Sequence, residues 1–135
     1  MSRSPGPLLL LDSEALSLLV GGDQAMLARV DQARRTGGFA VVSALMIVET
    51  AHGRTDLKRL DWFLSRLQVE GVLPEDARVA VRLLRDAGGL HGHQHSIDGL
   101  LAALAVRLAE DVVVVTSDPD DWRRLLGNSV GVITV

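Results

Sequence analysis

Residues 112–125 read VVVVTSDPDDWRRL. Four valines in a row leave no polar face, which is the pattern of a strand covered by helices on both sides of a parallel sheet. Asp118-Pro119 then has the form of a helix start, a capping side chain followed by proline at the first helical position. Two acids, Asp118 and Asp121, therefore fall just past the end of a strand. In an open parallel sheet, ligands bind at that place, where helix N-termini also point.

The rest of the chain repeats this alternation. Leu8–Leu11 is an apolar run ending at Asp12, followed by helical spacing at Leu16, Leu19 and Val20 that Gly21-Gly22 stops. Asp23 caps a second helix with Met26, Leu27 and Val30 on its stripe, closed by Gly37-Gly38. Residues 39–42 form another apolar run, and Ser43 caps a helix expected over 44–52. A helix over 55–68 carries Leu57, Leu60, Leu64 and Leu67, joined by Trp62 and Phe63, and residues 69–73 suit a third strand. Pro74 opens a helix that Gly88-Gly89 ends, and a polar loop with His91, His93 and His95 follows. Ser96 caps a helix striped by Ile97, Leu100, Leu101, Leu104 and Leu108, and residues 131–135 form a last short strand. The pattern predicts an α/β fold: a single domain over residues 1–135, a three-layer α/β/α sandwich around a central parallel sheet of four to five strands.

Composition narrows the chemistry. Of 135 residues 47% are hydrophobic, yet the aromatics are two Trp, two Phe and no Tyr, so the core is aliphatic. The absence of cysteine excludes disulfides, thiolate zinc sites and a Cys nucleophile, and fits a cytoplasmic protein. Residues 1–7 are short and polar, Leu8–Leu11 is too brief for the apolar core of a signal peptide, and no run approaches the ~20 residues that span a bilayer. No membrane partner is expected. The formal charge of −3 argues at first against a polyanionic partner. Setting aside the five acids of the pocket argued next leaves twelve acids against fourteen bases, so net charge does not exclude nucleic acid.

Asp12 and Asp118 follow strands, while Asp98 and Asp121 fall in first turns of helices. Each has a structural explanation as a cap or a complement to the helix dipole. Glu49 resists one: Leu45, Val48, Glu49 and His52 fall on one face of the 44–52 helix, and a carboxylate on an apolar stripe carries a desolvation cost of several kcal/mol unless it is paired. An arginine would satisfy it, as would a cation shared with the other acids. Gathered carboxylates repel unless a hard divalent ion holds them, and an all-oxygen set suits Mg²⁺ or Mn²⁺.

Four stretches, LLLLDSEAL around Asp12, VVSALMIVETAHG around Glu49, SIDGLLAALA around Asp98 and VVVVTSDPDDWRRL around Asp118 and Asp121, together resemble the PIN-domain family, and within it the VapC-type toxins of toxin–antitoxin pairs. The resemblance spans nearly the whole chain. It implies that Asp12, Glu49, Asp98 and Asp118 are the catalytic, metal-binding acids, with Asp121 a fifth metal-site member and Ser13 and Thr116 as supporting hydroxyls. It implies an Mg²⁺- or Mn²⁺-dependent endoribonuclease hydrolysing RNA phosphodiesters through a metal-activated water, with a cognate antitoxin and a second copy of the chain, a homodimer, as partners. Arg54 and Arg123 are candidates for contacts to the RNA backbone. Two positions depart from the family pattern: Glu14 replaces a small polar residue, either facing solvent or charging the pocket rim, and Gly99 replaces the alanine after Asp98.

The rival readings are three. A catalytically inactive PIN-like module binding RNA or protein would keep the fold without the cut. A phosphoacceptor receiver domain would place a lysine after the last long strand, but the one lysine, Lys58, lies in a helix. The three alternating histidines lack the partner cluster of a zinc site and read as a loop near the acidic pocket.

Overall fold

The computed structural model describes residues 6–88, 90, 93–108 and 111–135. The elements in chain order are β1 (Leu8–Leu11), α1 (Ser13–Val20), α2 (Gln24–Arg35), β2 (Phe39–Ser43), α3 (Ala44–Thr50), α4 (Leu57–Leu64), β3 (Gln68–Glu70), α5 (Pro74–Asp86), α6 (His93–Leu108), β4 (Val112–Thr116), α7 (Pro119–Leu126) and β5 (Gly131–Thr134). The five strands form one parallel sheet in the order β3-β2-β1-β4-β5. The chain first moves outward from β1 to β3, then crosses back to β4 and β5 on the other side. Right-handed crossovers put the helices of those two excursions on opposite faces of the sheet. The packing agrees, with α1 against α2, α3 and α4, and α5, α6 and α7 against one another. The expected α/β/α sandwich with a parallel sheet is the observed fold.

The two central strands explain why the sheet is apolar. All four residues of β1 are buried, as are Val112, Val114, Val115 and Thr116 of β4. Leu10 and Leu11 pair in register with Val114 and Val115. Each of these side chains leaves water on folding, worth about 1.5–3 kcal/mol apiece, so register slippage between β1 and β4 would be costly. Among the described residues no helix is long and apolar enough to cross a membrane.

Local signals set most boundaries. Asp12, Asp23 and Ser43 accept hydrogen bonds from Ala15 N, Met26 N and Leu45 N, so all three are N-caps as the sequence suggests. Pro74 and Pro119 occupy first turns. Elsewhere the boundaries shift. The helix expected over 44–52 stops at Thr50, where Ala51 turns extended. The one expected over 55–68 ends at Leu64, and Gln68 instead opens β3, a three-residue edge strand that pairs with β2. The last helix before β4 begins at His93 and not after Ser96, so His95 is helical, not in a loop. Gly89 and His91 of the expected loop, and residues 1–5, lie outside the described residues.

Arg107 ties α6 to the far edge of the sheet. Its Nε donates to Oδ1 of the buried Asp76 at 3.1 Å, and its Nη2 donates to Asp76 Oδ2 at 3.2 Å and to the Gly71 carbonyl at 2.9 Å. Asp76 Oδ2 also accepts from Leu73 N, closing the start of α5. The Gly99 departure has a packing reason: a Cβ there would stand 2.8 Å from Leu84 Cδ1 and 2.9 Å from its Cγ, so glycine lets α5 and α6 approach closely.

Candidate metal centre

Strand order reverses between β1 and β4, and the crevice beyond their carboxyl ends is where ligands collect in such sheets. A cavity of about 280 Å³ opens there, lined by Asp12, Glu49, Asp98, Asp118 and Asp121 together with Ser13 and Thr116. Five acids from four separate stretches of chain thus share one wall, as do both hydroxyl residues.

Asp12 does two things at once. Its Oδ1 caps α1 through Ala15 N at 2.8 Å, and its Oδ2 accepts from Ser117 N at 3.2 Å, so one carboxylate bridges the ends of β1 and β4. Each oxygen retains a second lone pair. Asp118 behaves differently. It stands at the N-cap of α7 but makes no capping bond there. Its carboxyl hydrogen-bonds with Asp121 instead, and that bond, followed by burial, raises its pKa above the usual carboxylate value. The capping role is therefore taken in part by Thr116, whose buried Oγ1 accepts from Asp118 N at 2.9 Å and keeps its own proton available to donate.

Asp98 lies in the second turn of α6, not the first, because the helix starts earlier than the Ser96 cap would have it. A complement to the helix dipole acts within the first turn, so that explanation weakens. Burial pushes the Asp98 carboxyl up to about 6, helped by the charges of Asp121, Asp118 and Glu49 and opposed by His95. Glu49 corrects the sequence reading more sharply. The face expected to be buried is open: Val48 is 76% exposed and Glu49 is itself exposed, while Met46 and Thr50 point inward. Thr50 Oγ1 donates to the Ser13 carbonyl, which fixes α3 against α1. Glu49 reaches the cavity from its rim, and its pKa is raised by the burial it does experience and then by Asp12.

Three residues fall outside this wall. Arg54 lines a separate cleft of about 300 Å³ with Thr50, His52 and Asp56. Arg123 is exposed and pairs with Asp120 at 3.4 Å. Glu14 is solvent-exposed in the first turn of α1, where it complements the helix dipole. One residue read from the sequence only as part of a nearby loop belongs to the wall itself: His95 lines the cavity, its buried Nδ1 has no hydrogen-bond partner, and it stands 4.0 Å from Asp98 Oδ2. The signal available for it was the i, i+3 spacing of His95 and Asp98. Five gathered carboxyl groups, with the pKa values of Glu49, Asp98 and Asp118 raised, beside an orphaned imidazole nitrogen, are a donor set that fits a divalent cation.

No family model and no curated protein sequence matches the chain. Solved structures do. A chain of the VapBC2 complex from Rickettsia felis bound to a DNA fragment from their promoter superposes with a TM-score of 0.74 at 15% identity, covering 95% of this chain and 98% of that one. For DNA-bound VapBC from Salmonella typhimurium the TM-score is 0.66 at 17% identity, covering 93% and 96%. For VapBC-1 from nontypeable Haemophilus influenzae it is 0.67 at 15% identity, covering 94% and 97%. The chain has the PIN-type fold of these VapBC structures.

This PIN-type fold carries a second concave surface here, a groove of about 590 Å³ between α2 and α4. Leu27, Val30, Phe63 and Leu67 line it, Trp62 stands 51% exposed at its edge, and Arg34, Lys58, Arg59 and Arg66 surround it. Core packing buries Leu60 and Phe63 of the α4 stripe but leaves Leu57 60% exposed.

Proposed function

We propose that the chain is a metal-dependent ribonuclease and the toxin of a VapBC-type pair, hydrolysing RNA phosphodiester bonds at the acidic cavity. The observation that carries this reading is the convergence of Asp12, Glu49, Asp98, Asp118 and Asp121 on one cavity at the switch point of the sheet. A purely structural site has no reason to place so many like charges together, since each neighbour raises the cost of ionising the next. The shared PIN-type fold and the four-block sequence resemblance support the same activity, and RNA as the substrate rests on that resemblance.

Asp12, Asp98, Asp118 and Asp121 would hold Mg²⁺ or Mn²⁺, with Glu49 reaching in from the rim. A divalent ion bound there supplies positive charge to the scissile phosphate and lowers the pKa of an attacking water. The chain's own residues position and hold protons. Asp12, anchored by Ala15 N and Ser117 N, presents a carboxylate whose orientation is fixed before substrate arrives. Asp121 beside Asp118 favours the protonated form of the Asp118 carboxyl, a proton that a bound cation would displace. Thr116 and Ser13 are placed to orient water or a phosphate oxygen through their hydroxyls.

An antitoxin partner is the second part of the proposal, supported by the fold's occurrence in VapBC complexes. The groove between α2 and α4, apolar at its floor and cationic at its rim, suits an amphipathic acidic segment of such a protein. The deciding experiment incubates purified, partner-free protein with tRNA, rRNA and mRNA in Mn²⁺, with and without EDTA, beside Asp12→Asn. Cleavage that EDTA and the substitution both abolish is expected. Intact RNA in all lanes with metal present would leave a PIN-like binding module.

A further inference from the structure

His95 sits one helical turn before Asp98 on α6 and takes no part in the hydrolysis as proposed. Its Nδ1 is buried without a hydrogen-bond partner, a state that buried polar atoms in native proteins rarely keep. The nearest acid oxygen, Asp98 Oδ2, lies 4.0 Å away. That gap is too wide for a hydrogen bond. It does lie within the span of two ligands on one ion, which at metal–ligand distances of about 2.1 Å reaches about 4.2 Å. One ligand atom from each of His95, Asp98 and Asp121 lies within 4.8 Å of the others, so a third donor stands in the same small volume. Adjacent ligands of an octahedral ion stand about 3 Å apart, so closing that triangle requires side-chain movements of about 1 Å, within the freedom of half-buried side chains.

We propose that His95 Nδ1 is a nitrogen ligand of the ion site, completing it with Asp98 and Asp121 and biasing it toward Mn²⁺ over Mg²⁺. The inference rests on the metal-dependent reading above and adds to it a ligand and a selectivity. Mg²⁺ is satisfied by oxygen donors, whereas imidazole suits first-row transition ions. A neutral imidazole ligating through Nδ1 carries its proton on Nε2, so ligation gives the orphaned nitrogen its missing partner. An all-carboxylate site would leave that nitrogen idle and would discriminate little between the two ions. The α6 backbone enforces the arrangement, because i and i+3 side chains share a face.

The test uses the full chain, stripped with chelator and reloaded with Mn²⁺ alone. Pulsed electron paramagnetic resonance of the wild type should show ¹⁴N modulation from a coordinated imidazole, and His95→Gln should bind Mn²⁺ without it. Calorimetry should show Mn²⁺ affinity falling at least about tenfold in His95→Gln, the loss typical of removing even an outer-shell partner, while Mg²⁺ affinity changes much less. Bound Mn²⁺ lacking ¹⁴N modulation in the wild type overturns the proposal and leaves the hydrolytic reading standing. So does modulation that survives His95→Gln, since His52, His91 or His93 would then be its source. If Mn²⁺ does not bind at all, or binds equally to Asp98→Asn, both readings fall together. The wild-type spectrum decides the matter even if the variant misfolds.

Discussion

The acidic cavity and the α2–α4 groove are two concavities built on opposite principles. The cavity is the smaller, about 280 Å³ against about 590 Å³. Its wall draws on residues from Asp12 to Trp122, while the groove draws on residues 19–67. One gathers charges of a single sign and is uncomfortable without a cation. The other gathers Leu, Val, Phe and Trp inside a cationic rim, where Arg66 stacks over Trp62 at 3.9 Å and Arg59 over Phe63 at 5.6 Å. Those stacked guanidiniums cover part of the apolar surface. The lesson is that size does not mark the chemistry. The larger hollow suits a protein partner, and the smaller, frustrated one suits a reaction.

If the two surfaces are functionally separate, substitutions should divide cleanly between them. Asp12→Asn has the largest expected effect, a loss of at least about a hundredfold in Mn²⁺-dependent RNA cleavage, the scale of a lost electrostatic contact to the transition state. Binding of a partner protein in the groove should be unaffected, and a gel assay alongside a pull-down reads both. Metal removal comes next. At a hundredfold excess over its dissociation constant, Mn²⁺ should stabilise the fold by about 2.7 kcal/mol, a rise of about 10 °C in melting temperature for a domain of this size. Asp98→Asn should erase most of that rise.

Trp62→Ala should act on the other surface. A truncated aromatic anchor costs about 2 kcal/mol in binding, so affinity for the antitoxin partner proposed above should fall roughly thirtyfold, with Mn²⁺ binding unchanged. An equal loss of Mn²⁺ affinity would show that the two surfaces are one.

The pH dependence of the metal-free protein sharpens the description of the cavity. Asp98 titrates at about 6 when folded, above its ordinary value of 3.8. The folded state thus holds that proton more tightly, so stability is highest below the unfolded pKa and declines as pH rises through about 4 to 6. Thermal melts across this window should show the decline in wild type and a flatter profile in Asp98→Asn. A wild-type profile that rises instead would mean the cavity is already compensated. The smallest effect belongs to Gly99→Ala. Helix propensity gains about 1 kcal/mol, but displacing Leu84 costs about 1–3 kcal/mol, so a net loss of about 1 kcal/mol is expected in denaturant titration, with both binding activities retained.

Much of the architecture could be read in advance because its central strands are extreme. Leu8–Leu11 and the four valines before Thr116 admit few other roles, and Asp12, Asp23 and Ser43 cap where side-chain chemistry says they should. The edge was harder. β3 is three residues, mostly exposed, and the apolar spacing of α4 continues past its real end into Leu67, masking the turn. Glu49 was placed in the cavity by resemblance, yet the argument from a buried stripe failed because Val48 faces solvent, and a hydrophobic side chain is not by that fact inside. Asp121 looked peripheral in sequence, but through its hydrogen bond to Asp118 and its proximity to His95 and Asp98 it lies at the middle of the cluster. His95 was set aside because its segment read as a polar loop without the partner cluster of a zinc site, whereas the helix begins early enough to bring it beside Asp98.

The pairing of β1 with β4, sealed by the bond from Ser117 N to Asp12 Oδ2, has a consequence for biosynthesis. Roughly a hundred residues separate the two strands, and contacts so distant along a chain form late and slowly. A nascent polypeptide emerging from the ribosome can cap α1 with Asp12 at once, but it cannot fasten β1 to β4 until Ser117 appears. An acidic cavity assembled in this order stays incomplete through most of its own translation.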